Sequence, residues 1–152
     1  MDFFLVRHGE AKPEYEDPQR PLSDRGRRDV ERIARALSEK KIAGVEILHS
    51  GKLRAKQTAE IIARFLSPGR RARQITGLAP DDDPVLAEAE LEAADGPVML
   101  VGHLPHLGRL AALLVTGDAE RSVVEFPPAT VVCLSRVDGA WKVAWSLTPD
   151  AI

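Results

Sequence analysis

Short unbroken apolar runs alternate along this chain with segments whose apolar residues recur at helical spacing. That alternation predicts strands buried in a sheet with helices packed against it. Residues 3–6 (Phe-Phe-Leu-Val) form a run that stops at charge and glycine, the pattern of a strand covered on both faces. Residues 11–21 hold three prolines without periodicity and are expected to form a loop. Ser23 is placed to cap a helix running to about Lys40, whose Val30, Ile33, Ala34 and Leu37 should face the core. Its Arg25, Arg28, Arg32 and Arg35 interleave with Asp29 and Glu31 as a solvated face.

A second strand is expected over residues 45–48. A second helix follows over residues 52–66, anchored by Leu53, Ile61, Ile62 and Phe65 and ended at Ser67-Pro68-Gly69. Residues 73–76 suggest a short strand, 77–84 a loop with two prolines and three aspartates, and 85–94 a third helix. Residues 97–101 are the clearest buried strand, followed by a helix over 105–115. Residues 130–135 and 141–146 read as two strands of a hairpin turning at Asp138-Gly139. The expected architecture is α/β, a three-layer α/β/α sandwich with a mostly parallel sheet and an antiparallel C-terminal hairpin. It should form one domain over residues 1–152.

Composition changes this picture little. The chain is 44% hydrophobic and 29% charged, ordinary for a globular domain. Its net charge of −2 argues against nucleic acid as a partner held by bulk attraction. The apolar run at 3–6 is too short for a signal-peptide core or a membrane span, so cytoplasmic residence without a membrane partner is expected. The single cysteine, Cys133, has no internal partner and should be a core side chain.

The candidate chemistry lies at strand ends. In a sheet of this kind ligands bind beyond the carboxyl ends of the strands. The first strand ends at Arg7-His8-Gly9, the second at Ser50 one turn before Arg54, and the fourth at His103. Two arginines offer forks of donors that match phosphate oxygens. A histidine between guanidinium groups has its cationic form disfavoured, which keeps it free to attack as a neutral nucleophile. Gly9 and Gly102 would let the backbone approach a ligand closely. Neighbouring arginines repel cations and no ordered carboxylate set accompanies the histidines, so neither a metal nor another cofactor is implied. A metal hydrolase built from His8, His49, His103 and His106 is therefore a remote alternative; His49 is expected to be structural and His106 a surface or capping residue.

These motifs resemble those of the histidine phosphatase superfamily, also called phosphoglycerate mutase-like. Arg7-His8-Gly9 resembles its signature, residues 50–59 (SGKLRAKQTA) its second motif, and Val101-Gly102-His103 its third. Length and detail resemble the SixA type of phosphohistidine phosphatase, through Arg20-Pro21-Leu22-Ser23, Leu78-Ala79-Pro80 and the residues after His103. The resemblance implies a phosphoryl group carried on His8. It implies phosphate contacts from Arg7, Gly9, Arg54 and His103, with Arg20 bordering the pocket. It leaves Gln57 and Thr58 as braces of the helix.

Gly51 departs from the proline usual at the first helical position, and a looser helix start is expected from it. The implied partner is a phosphohistidine-containing protein, such as a phosphotransfer domain, acted on by a monomer. Alternatives are a phosphate-ester phosphatase using Asp81, Asp82 or Asp83 as an acid, and an idle phosphoprotein-binding module.

Overall fold

A computed structural model describes residues 1–42 and 44–152. The strands are β1 (Asp2–Arg7), β2 (Glu46–His49), β3 (Arg73–Gln74), β4 (Val98–Gly102), β5 (Val131–Val137) and β6 (Ala140–Leu147). The helices are α1 (Asp24–Glu39), α2 (Leu53–Leu66), α3 (Pro84–Glu92) and α4 (His106–Thr116), with a 3₁₀ turn at Pro149–Ala151. The six strands form one sheet in the order β3-β2-β4-β1-β5-β6. β1, β2, β3 and β4 run parallel, and the β5–β6 hairpin adds antiparallel beside β1. The expected sandwich is therefore the observed fold.

The unbroken apolar runs follow from helices on both faces. Phe4, Val6, Ile47, Met99 and Val101 pack with the apolar faces of α1 and α2. Phe3, Leu5, Leu48 and Leu100 pack with Leu91 of α3 and Leu107 and Leu110 of α4. Each such side chain removed from water contributes about 1.5–3 kcal/mol. Cys133 is buried in the first of these clusters, and burial pushes its thiol up to about 12, the state of an inert core residue. β3 is shorter than the expected 73–76 because it is an exposed edge strand, paired only through Leu48–Arg73 and His49–Gln74.

Two details of α1 position the site. Ser23 caps it by accepting a hydrogen bond from the Gly26 amide at 3.0 Å, as expected from sequence. Its first turn also presses against the loop that leaves β1. A Cβ on Gly26 would lie 2.0 Å from the Glu10 carbonyl oxygen, and one on Gly9 would lie 2.7 Å from Val30 Cγ2. The loop after His8 thus rests on the helix backbone itself.

Gly26→Ala should therefore act against the usual helical preference. Alanine in a helix normally gains about 0.5–1 kcal/mol over glycine. Here the crowding should cost about 1–3 kcal/mol instead, read as a lower midpoint in urea unfolding. A raised midpoint would show that the loop does not bear on α1.

Candidate active site

Strand register brings the polar strand ends together. Arg7 pairs with Gly102 and His49 with Val101 across three adjacent parallel strands. The next residues, His8, His103 and Ser50, therefore leave the sheet side by side. The His8 amide still follows the ladder, donating to the Gly102 carbonyl at 3.0 Å, and the two imidazole centroids stand 5.0 Å apart.

The state of His8 follows from its contacts. Its Nδ1 lies 2.7 Å from the Gly9 carbonyl oxygen, which can only accept, so Nδ1 carries the proton and Nε2 the lone pair. Among the described residues no hydrogen bond engages Nε2. Burial lowers the pKa of His8 to about 4, with Arg54, Arg7 and Arg20 adding to the effect and the Gly9 hydrogen bond opposing it. His103 is pushed to about 3, chiefly by burial and then by His8 and Arg54. Both rings are neutral at physiological pH.

The arginines carry unmet donors. Arg7 gives Nη1 to the Phe126 carbonyl at 2.9 Å, which anchors the guanidinium, while its Nε is buried without a partner. Arg54 Nε is likewise buried and unpartnered. Neither arginine is among the observed ion pairs. A buried guanidinium N–H without an acceptor costs free energy, and both guanidinium groups lie close enough to His8 to act on it through their charge. Arg20 stands close enough to lower the pKa of both Arg54 and His8. It holds a left-handed φ of +50° and donates Nε to the Lys12 carbonyl at 3.1 Å. Among the described residues no carboxylate lies within 4 Å of it in a salt bridge.

Several supports were misread or missed in the sequence. Thr58 and Gln57 do more than brace α2. Thr58 Oγ1 donates to the Arg54 carbonyl at 2.8 Å and accepts from the Gly9 amide at 3.1 Å. Gln57 Oε1 accepts from the Leu22 amide at 2.8 Å, so both residues tie the loop after β1 to the helix that carries Arg54. Ser50 Oγ sits 2.6 Å from His103 Nε2 and fixes that ring, a contact only the strand register could have revealed. Phe126 acts through its backbone, which leaves no trace in residue type.

Gly51 is not a loose substitute at the first helical position. It precedes the N-cap Lys52 and holds φ +89°, a left-handed conformation that favours glycine, and a Cβ there would displace the end of the exposed Gln74 side chain. Proline, fixed near −65°, could not adopt this conformation. His49 is structural as expected: it is buried, and Nδ1 accepts from the Gly51 amide at 3.0 Å.

His106 is not on the surface. It is wholly buried under the loop after β3, against the Gly77 backbone. The first turn of α4 faces inward here, and burial lowers its pKa against the opposing pull of Asp82 and the Gly77 backbone. The acidic loop is largely committed to its own structure. Asp82 accepts from the Ala79 amide, Asp83 caps α3 at the Val85 amide, and Asp81 points into solvent. Among the described residues no group of three or more His, Cys, Asp or Glu side chains could hold a metal ion. No described helix is long and apolar enough to cross a membrane.

The model of the histidine phosphatase superfamily (branch 1) matches residues 3–79, half of the chain and the part that supplies Arg7, His8 and Arg54. The chain belongs to the histidine phosphatase superfamily. It is 36% identical over 125 residues to an uncharacterized protein of Picosynechococcus sp., covering 78% of this chain and 75% of that one. It is 29% identical to the phosphohistidine phosphatase SixA of Escherichia coli, over 98% of this chain and 94% of that enzyme. The solved structure of the protein histidine phosphatase SixA complexed with tungstate superposes with a TM-score of 0.86 at 28% identity, covering 99% and 98% of the two chains. The fold is shared more widely: a phosphoserine phosphatase mutant from Entamoeba histolytica in complex with phosphoserine gives a TM-score of 0.71 at 12% identity, covering 99% and 98%. As a histidine phosphatase superfamily member the chain is a phosphatase-type hydrolase.

The neutral state of the site can be measured directly. Imidazole ¹⁵N NMR should show His8 as a single Nδ1–H tautomer at pH 6, titrating near pH 4. A midpoint at or above the ordinary 6.5 would contradict the geometry. The linked stability change has a definite sign. The unfolded chain takes up protons below about pH 6.5 that folded His8 and His103 refuse, so stability should fall as pH drops from 6.5 toward 4.

Proposed function

We propose that this protein is a phosphohistidine phosphatase that removes phosphoryl groups from a histidine-phosphorylated protein, with His8 as nucleophile. The observation that carries the reading is the held tautomer of His8, which keeps its Nε2 lone pair while Arg7 and Arg54, neither of them ion-paired, act on the ring through their charge. That one similar SixA structure is a complex with tungstate, itself an oxyanion, fits this assignment.

In the first step His8 Nε2 attacks phosphorus, and the bond from phosphorus to the substrate's imidazole nitrogen breaks. Arg7, Arg54 and His103 hold the equatorial oxygens and stabilise charge as the phosphoryl group transfers. The Gly9 backbone acts through His8, whose ring its carbonyl holds while its amide is held by Thr58, and Arg20 supplies further positive charge near the site. The Nδ1–H···O contact to Gly9 stabilises the cationic ring that forms as the new P–N bond develops. Water then attacks the phosphorus, which releases inorganic phosphate and returns neutral His8.

The leaving group decides between substrate classes. An alkoxide needs a positioned acid, because it departs as a strong base. Asp82 and Asp83 accept hydrogen bonds from their own loop, and the Glu10 carboxylate accepts from the Ser23 hydroxyl at 2.8 Å. A phosphohistidine ring can instead be protonated on its second nitrogen, with a free-histidine pKa of about 6.5, and departs as neutral imidazole. One imidazole then replaces another and no strong acid is required. The commitment of Asp82 and Asp83 argues against either serving a phosphate-ester phosphatase as its acid and leaves exposed Asp81 as the candidate that alternative needs. The complete set of His8, Arg7, Arg54 and His103 argues against an idle binding module.

A panel of phosphohistidine peptides, sugar phosphates and phosphoserine tests this assignment. Wild type should turn over phosphohistidine far faster than any ester, and His8→Ala should lose every activity. Arg54→Gln should lower kcat by about 100-fold or more through lost stabilisation of the transferring phosphoryl group. Preference for an ester, or activity surviving in His8→Ala, would overturn the proposal.

A further inference from the structure

A broad concavity of the molecule lies outside the phosphoryl site. It is an open groove of about 750 Å³ that runs along the outer side of α2, between Arg27 of α1 and the turn after α2. Five exposed cations line it: Arg27, Lys56, Arg64, Arg70 and Arg71. Glu60 is the single carboxylate in its wall. A chain of net charge −2 thus gathers a local excess of four positive charges in one groove.

Several other arginines of the surface are held in ion pairs. Arg25 and Arg32 meet Asp29, Arg73 meets Glu46, Arg109 meets Glu120, and Arg136 meets Glu92. Among the described residues none of the five groove cations has a carboxylate within 4 Å. Glu60 stands four residues from both Lys56 and Arg64, the spacing that normally favours helix ion pairs, yet it joins neither.

The groove adjoins the catalytic site through β2 and α2. His49 in its wall immediately precedes Ser50, whose hydroxyl touches His103, while Arg54 and Lys56, two residues apart on α2, serve the site and the groove on different sides of the helix. Gln57 lines the groove while holding the Leu22 amide beside Arg20, and the Lys52 charge reaches His103. From Lys56 to Arg64 the helix advances about 12 Å, the length of about four extended residues.

We infer that this groove docks an acidic polypeptide segment adjoining the phosphohistidine of the substrate protein. The inference rests on the proposed function and adds how the substrate is chosen. Charge of this density steers association and selects partners more than it adds contact energy.

The test uses two synthetic peptides carrying the same phosphohistidine, one flanked by glutamates and one by glutamines. Wild type should show kcat/KM about tenfold higher for the glutamate peptide at low ionic strength, and salt should erode that ratio. In the variant Arg64→Glu, Arg70→Glu, Arg71→Glu the ratio should fall to about one or invert. Equal use of both peptides by wild type, or a ratio retained in the variant, overturns the docking inference and leaves the phosphohistidine reading standing. Failure of wild type to dephosphorylate either peptide overturns that reading, and the docking inference with it.

Discussion

The hydrogen bond from His8 Nδ1 to the carbonyl of the next residue is the contact on which the site depends. A carbonyl cannot donate, so this 2.7 Å contact fixes the tautomer and leaves the opposite nitrogen with its lone pair. The contact holds only while Gly9 itself is held. Its amide is bound by Thr58, its α-carbon lies against Val30 and the Gly26 carbonyl, and the following residue presses on the backbone of α1. Two helices and a strand thus converge on one peptide unit so that one imidazole nitrogen is presented correctly.

Around that nitrogen, burial and like charge act in the same direction. Burial lowers the pKa of His8 and His103, and the nearby guanidinium groups lower them further. The site is therefore cationic through its arginines and neutral through its histidines. That division suits an incoming dianionic phosphoryl group, which meets fixed charge and an unprotonated nucleophile together. The positive excess extends outward through Arg20, Lys52 and the groove along α2, while the ion-paired arginines lie elsewhere on the surface.

Much of this was legible in the residues. Runs such as Phe3 to Val6 declared strands covered on both faces, and Ser23 marked the start of α1 because capping is a local property. The convergence of His8, Arg54 and His103 followed from their places at strand ends. Other features depended on partners remote in the chain. Arg7 is anchored by a backbone carbonyl 119 residues away, which no residue type announces. His106 reads as a surface residue until α4 is seen to turn its first residues inward. Gly51 reads as a weakened helix start until its positive φ shows that glycine is favoured there. The groove escaped notice because its cations come from α1, α2 and a turn, and only packing gathers them.

The central claim concerns which atom accepts the phosphoryl group. Rapid quench at alkaline pH during turnover of a phosphohistidine peptide, followed by mass spectrometry and ³¹P NMR of the trapped enzyme, reads that atom directly. The account predicts a single phosphoryl group on Nε2 of His8. A phosphoryl group on Nδ1 or on another residue, or turnover with no phosphoenzyme, would contradict it.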